Sequence, residues 1–343
     1  MPKTIAIHHK EIASSPSLNW KQQLNQAISD PLELLEILQL EPQQQLHFNL
    51  QQQPFKIRVP LAYIRKMKAG DPQDPLLLQV MSQHQEELLS ADYSTDPVGD
   101  LDASKVPGLL HKYHGRVLLI TTAACAVHCR YCFRRHFPYH EQQAEKQQWA
   151  APLQYIAQDT SISEVILSGG DPLVLSDEKL HMLIRQLENI PHLQRLRIHT
   201  RLPVVLPDRI TDSLVELLSA NRFNVTLVLH ANHANELATD EQAVLKKMQQ
   251  AGIILLNQAV LLKNINCQLD QQITLSEALN SCGVMPYYLH LLDAVQGAAH
   301  FDVKLQQASQ LISGMQQYLP GYLVPKLVRE IAGEKSKTPA FEL

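Results

Sequence analysis

The sequence lacks a long apolar run, an excess of basic residues and an even set of cysteines. No apolar run approaches the roughly 20 residues that a membrane-spanning helix needs, and the first residues form no signal-peptide core. Five cysteines in a chain of 343 residues argue against a secreted disulfide framework. A net charge of −4 gives no basic footprint for nucleic acid. These absences predict a cytoplasmic protein without a nucleic-acid or membrane partner.

Strand-like and helical segments alternate regularly from residue 116 onward. The apolar runs lie at 116–122, 164–167, 196–199, 225–229, 253–256 and 287–292. Six βα units predict a parallel sheet covered by helices, either an open, partial TIM-like (βα)6 barrel or a flat doubly wound sheet. The intervening helices carry capping boxes at Thr239 with Gln242 and at Thr274 with Glu277, and terminal glycines at Gly252 and Gly283.

The first third of the chain shows no strand periodicity. Asp30-Pro31 precedes a leucine-rich run, and two further short helices are predicted at 59–64 and 74–80. Residues 1–105 are therefore interpreted as an N-terminal helical cap.

Three of the five cysteines follow the first predicted strand, in the pattern C-x3-C-x2-C. They are Cys125, Cys129 and Cys132, and their thiolates can converge on one metal centre. A [4Fe–4S] cluster normally takes four cysteines, so three leave one iron open to bind a ligand. The alternatives are a zinc site completed by His128 and chance clustering.

Polar residues follow every predicted strand. They are Cys125, the stretch 168–171 (Ser-Gly-Gly-Asp), Thr200-Arg201, His230, Asn257-Gln258 and Asp293. Catalytic groups of barrel enzymes collect at the C-terminal ends of the strands, although a single polar residue there is usually a turn former. The glycine pair fits a tight strand-to-helix turn as well as a close approach to a ligand. His230 and His233 together could suggest a metal site, but two histidines three apart are more often packing and hydrogen-bonding residues, and His233 is interpreted as one.

The cysteine pattern resembles the cluster motif of the radical S-adenosylmethionine (SAM) superfamily. This resemblance implies that the open iron chelates the amino and carboxylate groups of SAM, and that the reduced cluster cleaves SAM to a 5′-deoxyadenosyl radical. The glycine-rich stretch resembles the motif that holds the SAM amino group. The SAM-binding residues so expected are Ser168, Gly169, Gly170, Asp171, His230 and Gln258.

Most of the chain further resembles the lysine 2,3-aminomutase family. The matching stretches are 107–109, 111–113, 116–118, 125–135, 167–173, 202–207, 257–258, 286–288 and 337–339. The resemblance implies that Lys337, in Lys-Thr-Pro, carries pyridoxal phosphate (PLP) as a Schiff base, with Lys335 as the alternative. It also divides the chain into the helical cap, a radical SAM core at 106–300 and a PLP-binding segment at 301–343.

The same resemblance assigns residues to PLP and to the substrate. Arg116 is expected to contact the PLP phosphate and Tyr113 to lie against the ring. Arg134 matches the arginine that pairs with the substrate α-carboxylate, a pairing that can be bidentate. Asp293 matches one of the acids that receive an ε-ammonium group, and Glu330 stands where the free-lysine enzymes have a second aspartate, a change that keeps the charge but lengthens the side chain. The alternative for these two acids is an ordinary exposed position.

The implied reaction converts (S)-α-lysine to (R)-β-lysine. The stretches 132–139 and 297–301, and the six residues after Lys337, resemble the bacterial branch whose product modifies elongation factor P. An electron donor (a reductase or flavodoxin) and the elongation factor P lysyl ligase are the expected partners. The alternatives are an aminomutase of free amino-acid metabolism, a PLP-independent radical SAM enzyme and a non-catalytic iron–sulfur or zinc scaffold.

Overall fold

A single ten-stranded sheet forms the body of the protein in a computed structural model, which describes residues 18–51, 55–141 and 149–341. Neighbouring strands follow one another in chain order. They are β1 (Ser104–Val106), β2 (Leu109–Tyr113), β3 (Arg116–Thr122), β4 (Glu164–Gly169), β5 (Arg195–Thr200), β6 (Asn224–Leu229), β7 (Ile254–Val260), β8 (Met285–His290), β9 (Lys326–Arg329) and β10 (Thr338–Pro339).

The six predicted strands are β3 to β8, and each is parallel to the next. A doubly wound sheet would reverse its strand order at a switch point, whereas this order runs consecutively. The open, unclosed sheet therefore confirms the partial TIM-like barrel. The sequence did not reveal β9, which continues the parallel sheet beyond β8, or the antiparallel strands β1, β2 and β10 at its two ends.

Ten α-helices are described. They are α1 (Trp20–Asn25), α2 (Pro31–Ile37), α3 (Leu61–Ile64), α4 (Ala150–Gln158), α5 (Asp177–Glu188), α6 (Leu202–Val205), α7 (Asp212–Ser219), α8 (Thr239–Gln250), α9 (Leu269–Ser281) and α10 (Leu305–Tyr318). None of these helices is long and apolar enough to cross a membrane. Residues 1–17 and 52–54 of the predicted helical cap lie outside the described residues.

Two of the three short helices predicted in the cap are confirmed. The side chain of Asp30 accepts a hydrogen bond from the Leu32 N–H at the start of α2, and α3 falls within 59–64. The helix predicted at 74–80 is wrong, because this stretch forms turns. The Asp74 carboxylate accepts the N–H groups of Leu76 and Leu77, and such local bonds compete with helix formation.

Both predicted capping boxes are wrong in position. Helix α8 has Ala238 as its N-cap, whose N–H donates to Glu241 Oε2 at 3.1 Å. Thr274 lies inside α9, where its hydroxyl donates to the Asp270 carbonyl four residues earlier. The two terminal glycines are confirmed. Gly252 and Gly283 follow their helices with φ of +85° and +75°, a conformation that glycine adopts readily.

One hydrophobic cluster joins the N-terminal helices to the barrel. It includes Leu34, Tyr63, Leu167, Leu227 and Ile312. The N-terminal region thus packs on the barrel core and can position the cysteine loop from outside.

Candidate active site

A cavity of about 460 Å³ gathers every site residue expected from the sequence. It is lined by the three motif cysteines and by Tyr113, Arg116, Arg134, Ser168, Gly169, Gly170, Asp171, His230, Gln258, Asp293, Glu330 and Lys337. Parallel strands place their C-terminal ends at one edge of the sheet. Residues separated by more than 200 positions in the sequence therefore meet here.

The motif cysteines leave strand β3 on a tight loop. The Cys132 N–H donates to the Cys129 carbonyl at 3.1 Å. Burial raises the pKa of the Cys132 thiol to about 11, with the neighbouring Cys129 adding to the shift. Burial and the neighbouring Cys132 and Asp171 likewise raise the pKa of Cys125. Desolvated thiols of this kind become thiolates when a bound cation offsets the cost of their charge.

The described chain offers no evident site for a single metal ion. No three His, Cys, Asp or Glu side chains in the described chain converge closely enough to hold one metal ion. A zinc ion with Zn–S bonds of about 2.3 Å requires sulfurs within roughly 4 Å of one another. A [4Fe–4S] cluster can instead be held by three thiolates that line one cavity, as the motif cysteines do. His128 is engaged elsewhere, with its ring stacked on Phe55 at 5.3 Å and its Nδ1 2.8 Å from the Lys56 carbonyl.

Two buried arginines fasten the cysteine loop to the N-terminal region. Arg130 is fully buried and binds both carboxylate oxygens of Glu86, at 2.5 and 2.8 Å. Arg135 binds the same carboxylate at 2.8 Å, and both guanidinium groups lie 4.8 Å from the Phe55 ring. The cysteine loop is thus held by Glu86, an acid from outside the barrel.

The glycine pair after β4 is required by backbone packing. Gly169 has φ of +113°, and a Cβ atom there would lie 2.7 Å from the Thr122 carbonyl oxygen. A Cβ at Gly170 would overlap the Ala124 carbonyl. These contacts support the tight-turn reading of the motif, and its expected SAM contact remains a prediction. Asp171 is also engaged, because its carboxylate accepts hydrogen bonds from Thr200 Oγ1 and the Arg201 N–H.

His230 lies in the cavity wall as a neutral ring. Its Nε2 is 2.9 Å from the Tyr131 hydroxyl, and the two rings stack at 5.6 Å. Burial, reinforced by the charge of Arg201, lowers the pKa of His230 to about 3. His233 accepts a hydrogen bond from the Asn235 N–H. His233 therefore has a structural role.

A chain of ion pairs crosses the cavity mouth from Arg134 to Lys337. Asp100 binds Arg134 Nε at 2.7 Å and Lys112 Nζ at 2.6 Å. Glu330 binds the same Lys112 at 3.0 Å and Lys337 Nζ at 2.8 Å. Asp100 and Lys112 were missed by the sequence reasoning. Lys112 stands in a stretch that matches the family, whereas Asp100 carried no signal beyond the turn residues around it.

Asp293 and Glu330, the two acids expected to bind the substrate, have pKa shifts in opposite directions. Burial alone would raise the pKa of Glu330, but Lys337 and Lys112 hold it well below its usual range. Burial and the charge of Glu330 raise the pKa of Asp293 to about 7, against the lowering effect of Lys337. Asp293 Oδ1 is buried without a hydrogen-bond partner among the described residues. Neither acid is therefore an ordinary surface carboxylate, and Asp293 is a free acceptor facing the cavity.

The residues expected to hold PLP lie around Lys337. The hairpin of β9 and β10 pairs Thr338 with Arg329 and so fixes Lys337 at the cavity, whereas Lys335 is exposed. The Arg116 guanidinium stacks on the Tyr113 ring at 4.7 Å, and this side chain makes no hydrogen bond or ion pair within the described part of the chain. A cationic side chain without an anionic partner, in the same cavity as a reachable lysine, fits a phosphate-bearing aldehyde cofactor.

Several known proteins are similar to this chain. The family model described as "Radical SAM superfamily" matches residues 119–263. The chain is 48% identical over 322 residues to the L-lysine 2,3-aminomutase of Escherichia coli K12, covering 94% of each chain. It is 49% identical to the protein of that name from Haemophilus influenzae, covering 93% of this chain and 95% of the relative. The Clostridium subterminale protein of that name is 32% identical, with 97% and 80% covered. The crystal structure of Streptococcus suis SuiB bound to S-adenosylmethionine is similar over 64% of this chain and 51% of that chain, with a TM-score of 0.48 and 16% identity.

Proposed function

Because the chain belongs to the L-lysine 2,3-aminomutase family of radical SAM enzymes, we propose that it is an isomerase converting (S)-α-lysine to (R)-β-lysine. One observation carries the proposal. A single cavity brings together three half-buried cysteines, the lysine of Lys-Thr-Pro, a buried arginine and an unpartnered acid. These are the groups needed to hold a cluster, an aldehyde cofactor, a carboxylate and an ammonium group.

The proposed cofactors are a [4Fe–4S] cluster, SAM and PLP. When bound, the cluster and SAM supply radical chemistry, and PLP supplies electron delocalisation at the migrating nitrogen. Cys125, Cys129 and Cys132 would hold the cluster. Ser168, Gly169, Gly170, Asp171, His230 and Gln258 would line the SAM site. Lys337 would attach PLP, with Arg116 at its phosphate and Tyr113 beside its ring.

The substrate residues are proposed from charge and position. Arg134 would orient the α-carboxylate, and its Nε is already fixed by Asp100 at 2.7 Å. Its NH1 reaches Ser168 Oγ at 3.3 Å. Asp293 and Glu330 would receive the ε-ammonium group, because both carboxylates line the cavity and Asp293 Oδ1 has no hydrogen-bond partner among the described residues. The cavity thus offers both a cationic group, Arg134, and acids, matching the two charge signs of lysine.

We further propose that the β-lysine is destined for elongation factor P through its lysyl ligase. The two stretches that resemble this branch, 132–139 and 297–301, contact each other. Arg135 NH1 donates to the Gly297 carbonyl at 3.1 Å, and a Cβ at Gly297 would lie 2.7 Å from that same nitrogen. The electron for the cluster would come from a reductase or flavodoxin. The sequence-based boundaries after residues 105 and 300 remain our proposed division of the chain.

An anaerobic turnover assay tests the activity. Protein reconstituted with iron and sulfide would receive PLP, SAM, a strong reductant and L-lysine, with mass spectrometry separating α- from β-lysine. We expect β-lysine. Cleavage of SAM to 5′-deoxyadenosine without β-lysine would leave the radical chemistry standing and refute lysine as the substrate.

A second assay tests the destination of the product. Adding elongation factor P and its lysyl ligase should give a mass increase of one β-lysyl group on the factor. Production of β-lysine with no transfer under conditions in which synthetic β-lysine is transferred would favour free amino-acid metabolism.

A further inference from the structure

Arg201 is a buried cation that the proposed reaction does not use. It follows strand β5, is 6% exposed, and its NH1 lies 2.7 Å from Cys129 Sγ. The same nitrogen is 2.9 Å from the Tyr131 hydroxyl. A guanidinium N–H of Arg201 therefore donates to the sulfur of one motif cysteine.

The second terminal nitrogen of the guanidinium group, NH2, has three partners. Arg201 NH2 lies 2.9 Å from the Tyr63 hydroxyl, 2.7 Å from Gln79 Oε1 and 2.7 Å from Glu236 Oε2, and its two hydrogens are shared among these acceptors. These partners come from the N-terminal region and from the segment after β6. A buried charge is retained only when it is paired and hydrogen-bonded, and here the partners also fix the direction of the cation.

Glu236 supplies the opposing charge at a fixed position. It is fully buried, and its Oε1 accepts the backbone N–H groups of Asn232 and His233 at 2.8 and 3.0 Å. Gln79 Nε2 donates to the same oxygen at 3.2 Å. The acid binds NH2 of Arg201, whereas the sulfur binds NH1. The positive end of the pair thus faces the cysteine and the negative end faces away.

Hydrogen bonds to cysteine sulfurs and nearby charges set the reduction potential of an iron–sulfur cluster. Reduction adds one electron, and a cationic N–H donor stabilises the added negative charge. We propose that Arg201 is a positioning residue that raises the reduction potential of the cluster through its N–H bond to Cys129 Sγ, and that Glu236 limits this effect. The inference rests on the proposed cluster at Cys129. The electron comes from the proposed donor, and the guanidinium keeps all of its protons.

Two substitutions should move the potential in opposite directions. The full chain and the variants Arg201→Gln and Glu236→Gln would be reconstituted and titrated potentiometrically, with the electron paramagnetic resonance signal of the reduced cluster as the readout. Arg201→Gln should lower the ratio of reduced to oxidised cluster at a fixed ambient potential by about tenfold, the effect of one charge-assisted hydrogen bond. Glu236→Gln should raise that ratio.

Arg209→Gln is the matched control. Arg209 is also fully buried, binds Asp177 and the Leu173 carbonyl, and makes no contact with a motif cysteine in the described structure. Its variant should leave the potential unchanged. An iron-loaded Arg201→Gln protein with the wild-type potential would overturn the inference, as would equal shifts in both test variants.

If the Arg201→Gln variant fails to bind iron, the Glu236→Gln variant tests the proposal alone. An unchanged or lowered reduction potential in the Glu236→Gln variant would contradict it. Failure of the unaltered chain to bind about four irons would instead refute the proposed cluster.

Discussion

At the scale of single residues, Asp293 is the group whose charge state most directly limits the proposed activity. Its carboxyl group is buried and lies near the charge of Glu330, and its pKa is raised to about 7. A carboxyl group with a raised pKa is neutral below that pH and charged above it. Binding of an ammonium group requires the charged form. The pH dependence of lysine binding should therefore report on this one residue.

We expect kcat/KM for lysine to rise with pH up to about 7 and then to level off. Asp293→Asn should remove this rise and lower kcat/KM roughly 10- to 100-fold, because one hydrogen bond to a charged group is lost. β-Lysine formation at several pH values measures both effects. Asp270→Asn, at an exposed acid of α9, should behave as the unaltered chain. An Asp293→Asn variant that kept the rise would assign it to another group.

Lys337→Ala should abolish the absorbance of covalently bound PLP and leave the iron content unchanged. The structure places Lys337 in the cavity, whereas the neighbouring Lys335 is exposed. Lys335→Ala is thus the matched control and should keep both signals. Ultraviolet–visible spectra and iron analysis of the two variants settle the assignment. Retention of the PLP signal in Lys337→Ala, or its loss in Lys335→Ala, would show that the attachment site is misassigned.

At the scale of elements, the cysteine loop depends on Glu86 from outside the barrel. Burial alone would raise the pKa of Glu86, but Arg130 and Arg135 leave it lowered. A carboxyl group with a lowered pKa contributes stability above its unfolded pKa, near 4.5, and that stability is lost as the pH falls through its folded pKa. The stability that Glu86 gives the loop should therefore be lost in acid.

Glu86→Gln should destabilise the protein by about 3–5 kcal/mol, because it leaves two buried arginines without their counter-charge. Loss of iron to a chelator should also become faster, since the loop carries the cysteines. Thermal unfolding and timed iron release measure these effects. Asp212→Asn, in a pair with Lys247 whose acid is 91% exposed, should cost less than about 1 kcal/mol. A Glu86→Gln protein with unchanged stability and unchanged iron retention would show that Glu86 does not hold the cysteine loop.

Periodicity was sufficient to predict the six central strands and the common edge of the site. Buried parallel strands are continuous apolar runs, and their shared direction brings Cys125, His230 and Asp293 together. Other features depend on distant partners that a local pattern does not contain. Strand β9 is recognisable only from its pairing with β8. The role of Asp100 depends on its bond to an arginine 34 residues later. The helix predicted at 74–80 does not form, because one carboxylate binds the backbone there.

At the scale of the whole molecule, ion pairs join the two ends of the open sheet. Lys112 lies on β2 at one end, and Glu330 follows β9 near the other. Their side chains meet at 3.0 Å and are each 17% exposed. The backbone of the sheet is not closed by strand pairing in the described residues, since β1 and β10 each pair with one neighbour. The C-terminal hairpin that positions Lys337 is thus held across the cavity by side-chain charge.

Lys112→Met should loosen the C-terminal hairpin without unfolding the barrel. Glu330 would keep Lys337, and Asp100 would keep Arg134, so each acid retains one cation and the loss is moderate. We expect amide hydrogen exchange in β9 and β10 to accelerate roughly tenfold, the change given by about 1.4 kcal/mol, while β4 to β7 keep their protection. Lys326→Gln, at an exposed lysine of β9, should leave exchange unchanged. If Lys112→Met accelerated exchange equally in all strands, the lysine would support the whole barrel. If exchange in β9 and β10 did not change, pairing with β8 alone would hold the hairpin, and the ion pairs would serve only the chemistry of the cavity.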